Sequence, residues 1–347
     1  MILFLLAIAA IWGLGGLLKV PRGLKLALTA LVFATILLAH GLLPAQHPLP
    51  MLFGGNFAGW ASLAGAAALA AGYARGLAWM RAKAEARAAP APAAPEGKAP
   101  FSEAELDRYA RHIVLREIGG TGQRALKDAR ALVVGAGGLG SPALFYLAGA
   151  GIGTIGIVDD DVVSNSNLQR QIIHRDDDIG TPKVFSAQRA IKALNPFVTV
   201  KPYNRRLTDE IAEALIAEYD LVLEGSDNFE TRYLVNRVAA RLGKPVIGGA
   251  ISQFEGQLST WDPARGAPCY QCVFPEAPAP GLAPACAEAG VIGPLPGVIG
   301  AMMAGEAVKE ITGAGEGLRG RLLIWDGLYA EPRVIRTKRR DGCPVCG

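Results

Sequence analysis

The chain has 347 residues, 51% of them hydrophobic, and a mean hydropathy of +0.26, which is more apolar than a soluble enzyme of this size requires. Its net charge of +4 is unevenly placed: residues 1–98 hold eight Lys or Arg against two Glu (+6), and the remainder holds 27 basic against 29 acidic side chains (−2). The pI near 8.8 therefore reports on the flanks of apolar segments. No Lys/Arg-rich run with interleaved aromatics is present, which excludes a nucleic-acid partner.

Three apolar stretches open the chain, at residues 1–18, 26–43 and 57–80. A helix of about 20 apolar residues crosses the roughly 30 Å hydrocarbon core, so three transmembrane helices are expected in residues 1–80, with two spans the competing count because the Gly- and Ala-rich third stretch is weakly hydrophobic. The first stretch has no basic n-region and no cleavage site, which argues against a signal peptide. Lys19, Arg22 and Lys25 flank one connection, and Arg81, Lys83 and Arg87 follow the third stretch, whereas residues 43–56 hold no Lys or Arg. The positive-inside rule then places the N-terminus outside and the large C-terminal part on the cytoplasmic face of the cell inner membrane. Arg75 snorkels at the cytosolic end of the third helix. Residues 81–100 read as an Ala- and Pro-rich linker.

From Phe101 onward the texture alternates. Short β-branched runs at 131–134, 154–158, 198–201, 221–223 and 246–247 are separated by helical patterns at 141–150, 183–194, 209–218 and 230–242. That alternation predicts an α/β, Rossmann-like, mostly parallel sheet with helices on both faces. The first strand runs into Gly135-Ala-Gly137-Gly138-Leu-Gly140 and then a helix, a turn whose free N–H groups and helix dipole suit a phosphate. Asp159, at the end of the next strand, is placed to accept from a ribose hydroxyl. Taken alone, the turn points to a nucleotide and to NAD before ATP. Arg170 and Lys183 shift that balance, because cleavage of a triphosphate needs cations and Mg²⁺ to neutralise the departing charge, and Asp227 is placed to hold the metal. The plainer readings are a surface ion pair for Arg170 and Lys183, and a turn or helix cap for Asp227 and Asn228.

Five cysteines form two C-x-x-C pairs, Cys269/Cys272 and Cys343/Cys346, with Cys286 left over. Two such pairs supply the four thiolates of a closed, structural Zn²⁺ site. Cys286 sits in a Pro-, Gly- and Ala-rich segment, residues 275–297, without strand or helix pattern, which reads as a crossover loop.

Arg108-Tyr-Ala-Arg111-His, the Gly135–Gly140 turn, Asp159, Ser166-Asn167-Leu-Gln169-Arg170-Gln, Gly180-Thr-Pro-Lys183 and Ser226-Asp227-Asn228 together resemble the MoeB/ThiF family of adenylyltransferases. Cys269-Tyr-Gln-Cys272, Cys286-Ala-Glu-Ala-Gly290 and Cys343-Pro-Val-Cys346-Gly extend the resemblance across residues 101–347. The resemblance implies ATP on the glycine turn, Asp159 at its ribose, and Asn167, Arg170 and Lys183 around its phosphates, with Ser166 and Gln169 in the same motif. It further implies Mg²⁺ on Asp227, a homodimer in which Arg111 reaches the partner's ATP, and a role for Cys286 in acyl or persulfide transfer in some members. The implied reaction is adenylation of the C-terminal Gly-Gly of a ubiquitin-like sulfur-carrier protein, for molybdopterin or thiamine synthesis. Ala110, His112 and Ala285 depart from the family pattern, and the apolar N-terminal region has no counterpart in it. Activation of another carboxylate, an NAD-dependent oxidoreductase and a silent scaffold are the competing readings. His112 and His174 are read as structural.

Overall fold

The computed structural model describes residues 2–44, 46–87, 101–279 and 289–347. The chain divides into two compact units, Met1–Lys98 and Ala99–Gly347. The first contains α1 (Ile2–Leu17), α2 (Arg22–Leu42), the short α3 (Pro48–Phe53) and α4 (Phe57–Arg87). Phe4, Phe33 and Trp60 meet edge to face at its centre, over a fully buried Ile36. Leu31, Leu38, Leu42, Leu63 and Leu69 point outward instead and stay exposed.

Two expectations for this unit change. All three apolar helices form, but only α2 and residues 57–80 of α4 are long and apolar enough to cross a membrane. The first has 16 residues, about 24 Å at 1.5 Å per residue, which is short of a full span. Helix α4 also runs on to Arg87, through the first residues of the expected linker 81–100. Residues 88–100 lie outside the described part.

The second unit opens on a capping box. The Ser102 hydroxyl accepts from the Glu105 N–H, and the Glu105 carboxylate accepts from the Ser102 N–H, which starts α5 (Glu103–Ile113). Helix α6 (Gly119–Asp128) leads into β1 (Arg130–Val134), α7 (Gly140–Ala150), β2 (Thr154–Asp159), α8 (Lys183–Leu194) and β3 (Thr199–Asn204). Next come α9 (Asp209–Ala217), β4 (Leu221–Glu224), α10 (Phe229–Arg241), β5 (Val246–Ser252) and β6 (Glu255–Trp261). The chain closes with α11 (Tyr270–Val273), α12 (Pro294–Thr312), β7 (Arg321–Asp326) and β8 (Glu331–Arg336).

The eight strands form one sheet in the order β3-β2-β1-β4-β5-β6-β7-β8. The five strands read from the sequence are the parallel ones, and β6, β7 and β8 extend them antiparallel. The central strands β1, β2 and β4 are buried on both faces, so they carry continuous apolar runs such as Ala131–Val134, whereas the edge strand β3 is only partly covered. On one face Leu144 and Leu147 of α7, Val184 and Ile191 of α8, and Ile299 and Met303 of α12 cover Val133, Ile155, Ile157 and Leu223. On the other, Ile216 of α9 and Val235 of α10 cover Leu132, Val158 and Val222. Each fully buried Leu or Ile stabilises by about 2 kcal/mol, so this double core holds the sheet rigid beneath its polar loops. Helix α12 is seated with almost no clearance: a Cβ on Gly300 would lie 2.3 Å from the Leu139 carbonyl oxygen, and one on Gly256 would lie 2.3 Å from Ile299.

Two parts of the sequence reading need correction. Residues 294–297, read as part of an unpatterned loop, begin α12, with Pro294 in its first turn where the missing N–H costs nothing. The three antiparallel strands were not anticipated; β8 is exposed at every position and so has no apolar alternation to betray it. Residues 280–288 lie outside the described part.

The unit from Ala99 onward, with its own two-faced core, is expected to fold without residues 1–98. A fragment starting at residue 99 should give one cooperative thermal transition by circular dichroism; a molten fragment would overturn this.

Candidate active site

The strand order reverses direction between β1 and β4, because the chain leaves β1 toward β2 and returns to β4 on its other side. In open α/β sheets such a switch point leaves a crevice at the carboxyl ends of the strands. Here the crevice is a cleft of about 730 Å³. The Gly135 turn after β1, Asp159 after β2 and the Ser226–Asn228 turn after β4 all open into it, joined by Arg170 and Lys183.

The glycine turn is set by sterics. Gly135 has φ +94°, and its carbonyl would stand 1.9 Å from a Cβ on Gly140, so a side chain at 140 cannot be accommodated without breaking the turn. Gly135, Gly137 and Gly138 line the cleft, whereas Gly140 is buried beneath as the first residue of α7.

Asp159 is spoken for in part by the protein itself. One carboxylate oxygen accepts from the Ala136 N–H at 2.7 Å and the other from the Asp161 N–H at 2.8 Å. Burial raises its pKa, opposed by Lys183 and by those two N–H groups. Asp159 therefore braces the glycine turn as well as facing the cleft. Lys183, the first residue of α8, is buried with its ammonium 2.7 Å from Asp161, whose carboxylate is exposed. This ion pair preorganises the lysine at the cleft wall. Arg170 is held by its own short segment, donating to the Asn167 side-chain oxygen at 3.0 Å and to the Ser166 carbonyl at 3.2 Å.

The motif residues thus divide. Arg170, Lys183, Asp159, Asp227 and Asn228 reach the cleft wall. Ser166, Asn167 and Gln169 do not line it: Asn167 orients Arg170, and Gln169 packs against Gly293. Asp227 is exposed in the cleft, while Asn228 caps α10, its side-chain oxygen accepting from the Thr231 N–H at 2.8 Å. The helix-cap reading therefore holds for Asn228 and not for Asp227. Arg111 is exposed on α5 and does not line the cleft of its own chain. Cys286 lies outside the described residues.

Arg232 and Gln171 were missed as site residues. Arg232 stands one helical turn after the Asn228 cap, lines the cleft, and donates to the Ser226 carbonyl at 2.8 Å. It also faces the buried Glu224 carboxylate at 3.7 Å. Burial raises the pKa of Glu224, opposed first by Arg232. Glu224 in turn accepts from the Ser226 N–H, so the pair fixes the turn that presents Asp227. Gln171 is buried in the cleft wall, its side-chain amide oxygen without a hydrogen-bond partner among the described residues. The i,i+4 spacing of Asn228 and Arg232 was the available signal for the first; the second closes the Ser166–Gln171 motif run and was not singled out from it.

Away from the cleft, Cys269, Cys272, Cys343 and Cys346 converge, with Sγ separations of 3.8, 3.6 and 3.4 Å for 269–272, 269–343 and 272–346. Four thiolates about 2.3 Å from a central zinc stand about 3.8 Å apart, so the donor set and its spacing fit a tetrahedral Zn²⁺.

A family model described as ThiF family matches residues 109–345. The chain belongs to the ThiF family. This family comprises adenylyltransferases of the ubiquitin-activating type. Among curated relatives of this ThiF-family chain, a sulfur carrier protein adenylyltransferase of Thermus thermophilus is 49% identical over 251 residues, covering 71% of this chain and 93% of the relative. The SAMP-activating enzyme E1 of Haloferax volcanii is 49% identical over 243 residues, covering 70% and 89%. A probable adenylyltransferase/sulfurtransferase MoeZ of Mycobacterium tuberculosis is 48% identical, covering 70% of this chain and 63% of the relative. Among solved structures, E. coli MccB with ATP superposes with a TM-score of 0.58 at 23% identity, covering 65% of this chain and 69% of that one. PaaA does so with a TM-score of 0.62 at 22% identity, covering 76% and 82%. The two structures show a shared fold.

Replacing Cys272 or Cys346 by Ser is expected to lower both the zinc content and the melting temperature, because structural zinc contributes folding energy directly. Metal analysis of the purified chain, alongside thermal unfolding, checks this; folded parent protein without zinc would refute it.

Proposed function

We propose that this chain uses ATP to adenylate the C-terminal glycine of a ubiquitin-like sulfur-carrier protein, releasing pyrophosphate. The observation that carries the reading is the convergence of the Gly135 turn, Arg170, Lys183 and Asp227 in one cleft. The names of two relatives, a sulfur carrier protein adenylyltransferase and a SAMP-activating enzyme E1, point the same way. The carrier proposed ends in Gly-Gly and is of the molybdopterin or thiamine type. An oxidoreductase would use the glycine turn and Asp159 but leave Arg170 and Lys183 without a task.

In this reading the glycine turn offers N–H groups to the phosphates and Asp159 faces the ribose. The carrier's terminal carboxylate attacks the α-phosphorus; a carboxylate–phosphorus bond forms as the bond to pyrophosphate breaks, giving an acyl-adenylate. Arg170 and Lys183 offset charge that builds on the departing oxygens, in positions fixed beforehand by Asn167 and Asp161. No protein nucleophile is needed for this step. The exposed carboxylate of Asp227 suits Mg²⁺, which when bound would neutralise phosphate charge. Zinc on the four cysteines would be structural.

Three further parts of the reading concern assembly. The active unit is a homodimer, with Arg111 serving the partner's cleft, which is supported by its exposure away from its own. Helices α2 and α4 hold the unit from Ala99 on the cytoplasmic face of the inner membrane, supported by their outward-facing leucines and the basic flanks. The chain is then three parts: membrane region, linker and adenylyltransferase domain. If α1 does not span, the N-terminus shares the side of the enzyme.

Carrier-dependent ATP–pyrophosphate exchange tests the central reading. Asp227→Ala is expected to lower exchange by about 100-fold or more, as for loss of one contact to a developing charge. Exchange without any carrier, or unaffected by the substitution, would remove it. Mixed dimers of Arg111→Ala and Asp227→Ala chains should regain partial activity, since one composite site recovers both groups; failure after confirmed subunit exchange would remove the role across the interface.

A further inference from the structure

His174 is the one buried histidine among the described residues, and both its ring nitrogens are engaged. Nε2 lies 2.9 Å from the carbonyl oxygen of Ala136, inside the glycine turn. Nδ1 lies 2.8 Å from the Ser186 hydroxyl of α8, which is in turn 2.6 Å from the Asp178 carboxylate. Arg189 closes the chain on Asp178. Burial alone would raise Asp178, but Ser186 and Arg189 outweigh it and hold the carboxyl below the usual range.

Counting protons decides the ring's role. A carbonyl oxygen can only accept, so Nε2 carries hydrogen whenever it bonds Ala136. The Ser186 hydroxyl has one hydrogen, donated to Asp178, so its oxygen is left to accept from Nδ1. The doubly protonated ring meets the Ala136 and Ser186 contacts at once; the singly protonated ring keeps the bond to Ala136 when Ser186 turns its hydrogen from Asp178 to Nδ1. Burial lowers the histidine's pKa, reinforced by Lys183 and opposed by Ala136 and Asp178. The Ala136 carbonyl thus keeps hydrogen on Nε2 in either state, while Ser186 and Asp178 hold the ring in place through Nδ1.

The bond matters because of peptide geometry. In a planar trans peptide the C=O of one residue and the N–H of the next point in opposite directions. Ala136 is fully buried, with its own N–H donated to Asp159 and its carbonyl turned inward to His174. The N–H of Gly137 is thereby turned the other way, on a residue that lines the cleft. Glycine at 137 cannot hold this orientation by itself, since it lacks a Cβ to restrict its dihedrals.

We propose that His174 is a positioning residue for nucleotide binding: its Nε2–H, oriented through Ser186 and Asp178, locks the Ala136–Gly137 peptide so that the Gly137 N–H faces the phosphates of ATP. The proposal rests on the reading of the cleft as an ATP site. It gives the His174–Ser186–Asp178 series of contacts a task in holding backbone, with no nucleophile involved.

The test compares the purified full chain with His174→Phe, His174→Gln and Ser186→Ala, using ATP with MgCl₂ as the probe. Phe keeps the bulk and loses the donor; Gln carries an amide N–H in a position close to that of Nε2. His174→Phe is expected to weaken ATP binding by about tenfold or more, the scale of a lost hydrogen bond that leaves a buried acceptor unpaired. His174→Gln should restore most of that affinity. In pyrophosphate exchange the loss should appear in KM for ATP more than in kcat. Nitrogen-15 shifts of the parent's imidazole should show hydrogen on Nε2 above neutral pH, and this readout stands even if His174→Phe fails to fold. Ser186→Ala, which releases the ring at Nδ1, should weaken ATP binding less than His174→Phe. Parent-like ATP affinity in a folded His174→Phe, no rescue by Gln, or a bare Nε2 would each overturn the proposal. A parent chain that binds no ATP would instead remove the reading of the cleft.

Discussion

The turn between β1 and α7 has to do two incompatible things: close tightly enough to start a helix, and keep its N–H groups facing outward. Closing it brings Gly140 so near the Gly135 carbonyl that no side chain fits, and that removes the local steric restraints which would normally fix a backbone. Restraint is therefore imported. Asp159 from the end of β2 holds the Ala136 N–H, and His174 from the segment before α8 holds its carbonyl. Two residues distant in sequence do what a side chain in the turn would otherwise do.

The same arrangement recurs around the rest of the cleft. Three cations that face it are each held from behind by an oppositely charged or polar partner. Lys183 has Asp161, Arg170 has Asn167, and Arg232 has Glu224. Burying a cation at a cleft wall costs several kcal/mol if it is left alone, and pairing offsets most of that. The pairing also limits rotamer freedom, so the groups need little rearrangement when a phosphate arrives. The double hydrophobic core below keeps the strand ends in register and so fixes the distances between these pairs.

Much of this was legible in the residues. Four of the five parallel strands are short, apolar runs, so they stand out between the helices; four helices of the alternation lie within a residue of the expected bounds. Arg170, Lys183 and Asp227 were legible because motif order places them after successive strands, whereas Arg232 was not. What escaped has a physical reason in each case. Strand β8 is solvent-exposed throughout, so no periodicity marks it. Asn167 looks like a phosphate ligand in sequence but is consumed in orienting Arg170, a distinction that only geometry makes. His174 gave no sign of its contact with Ala136, since α7 and β2 separate the two along the chain. The apolar N-terminal stretches were read correctly as helices, yet the length of α1 leaves it about one turn of helix short of a full span.

The seating of α12 sets a limit of another kind. This helix lies against the turn through Gly300 at the Leu139 carbonyl, against β6 through Ile299 over Gly256, and near Gly138 through Pro296. Positions so far apart along the chain thus share one volume, and none can grow unless another shrinks. Drift in this part of the sequence has to be concerted. A swap of α12 between two members of the family would carry its neighbours' sizes with it, and a helix taken from a relative with larger residues at these contacts would push the glycine turn out of shape before it disturbed any charged group.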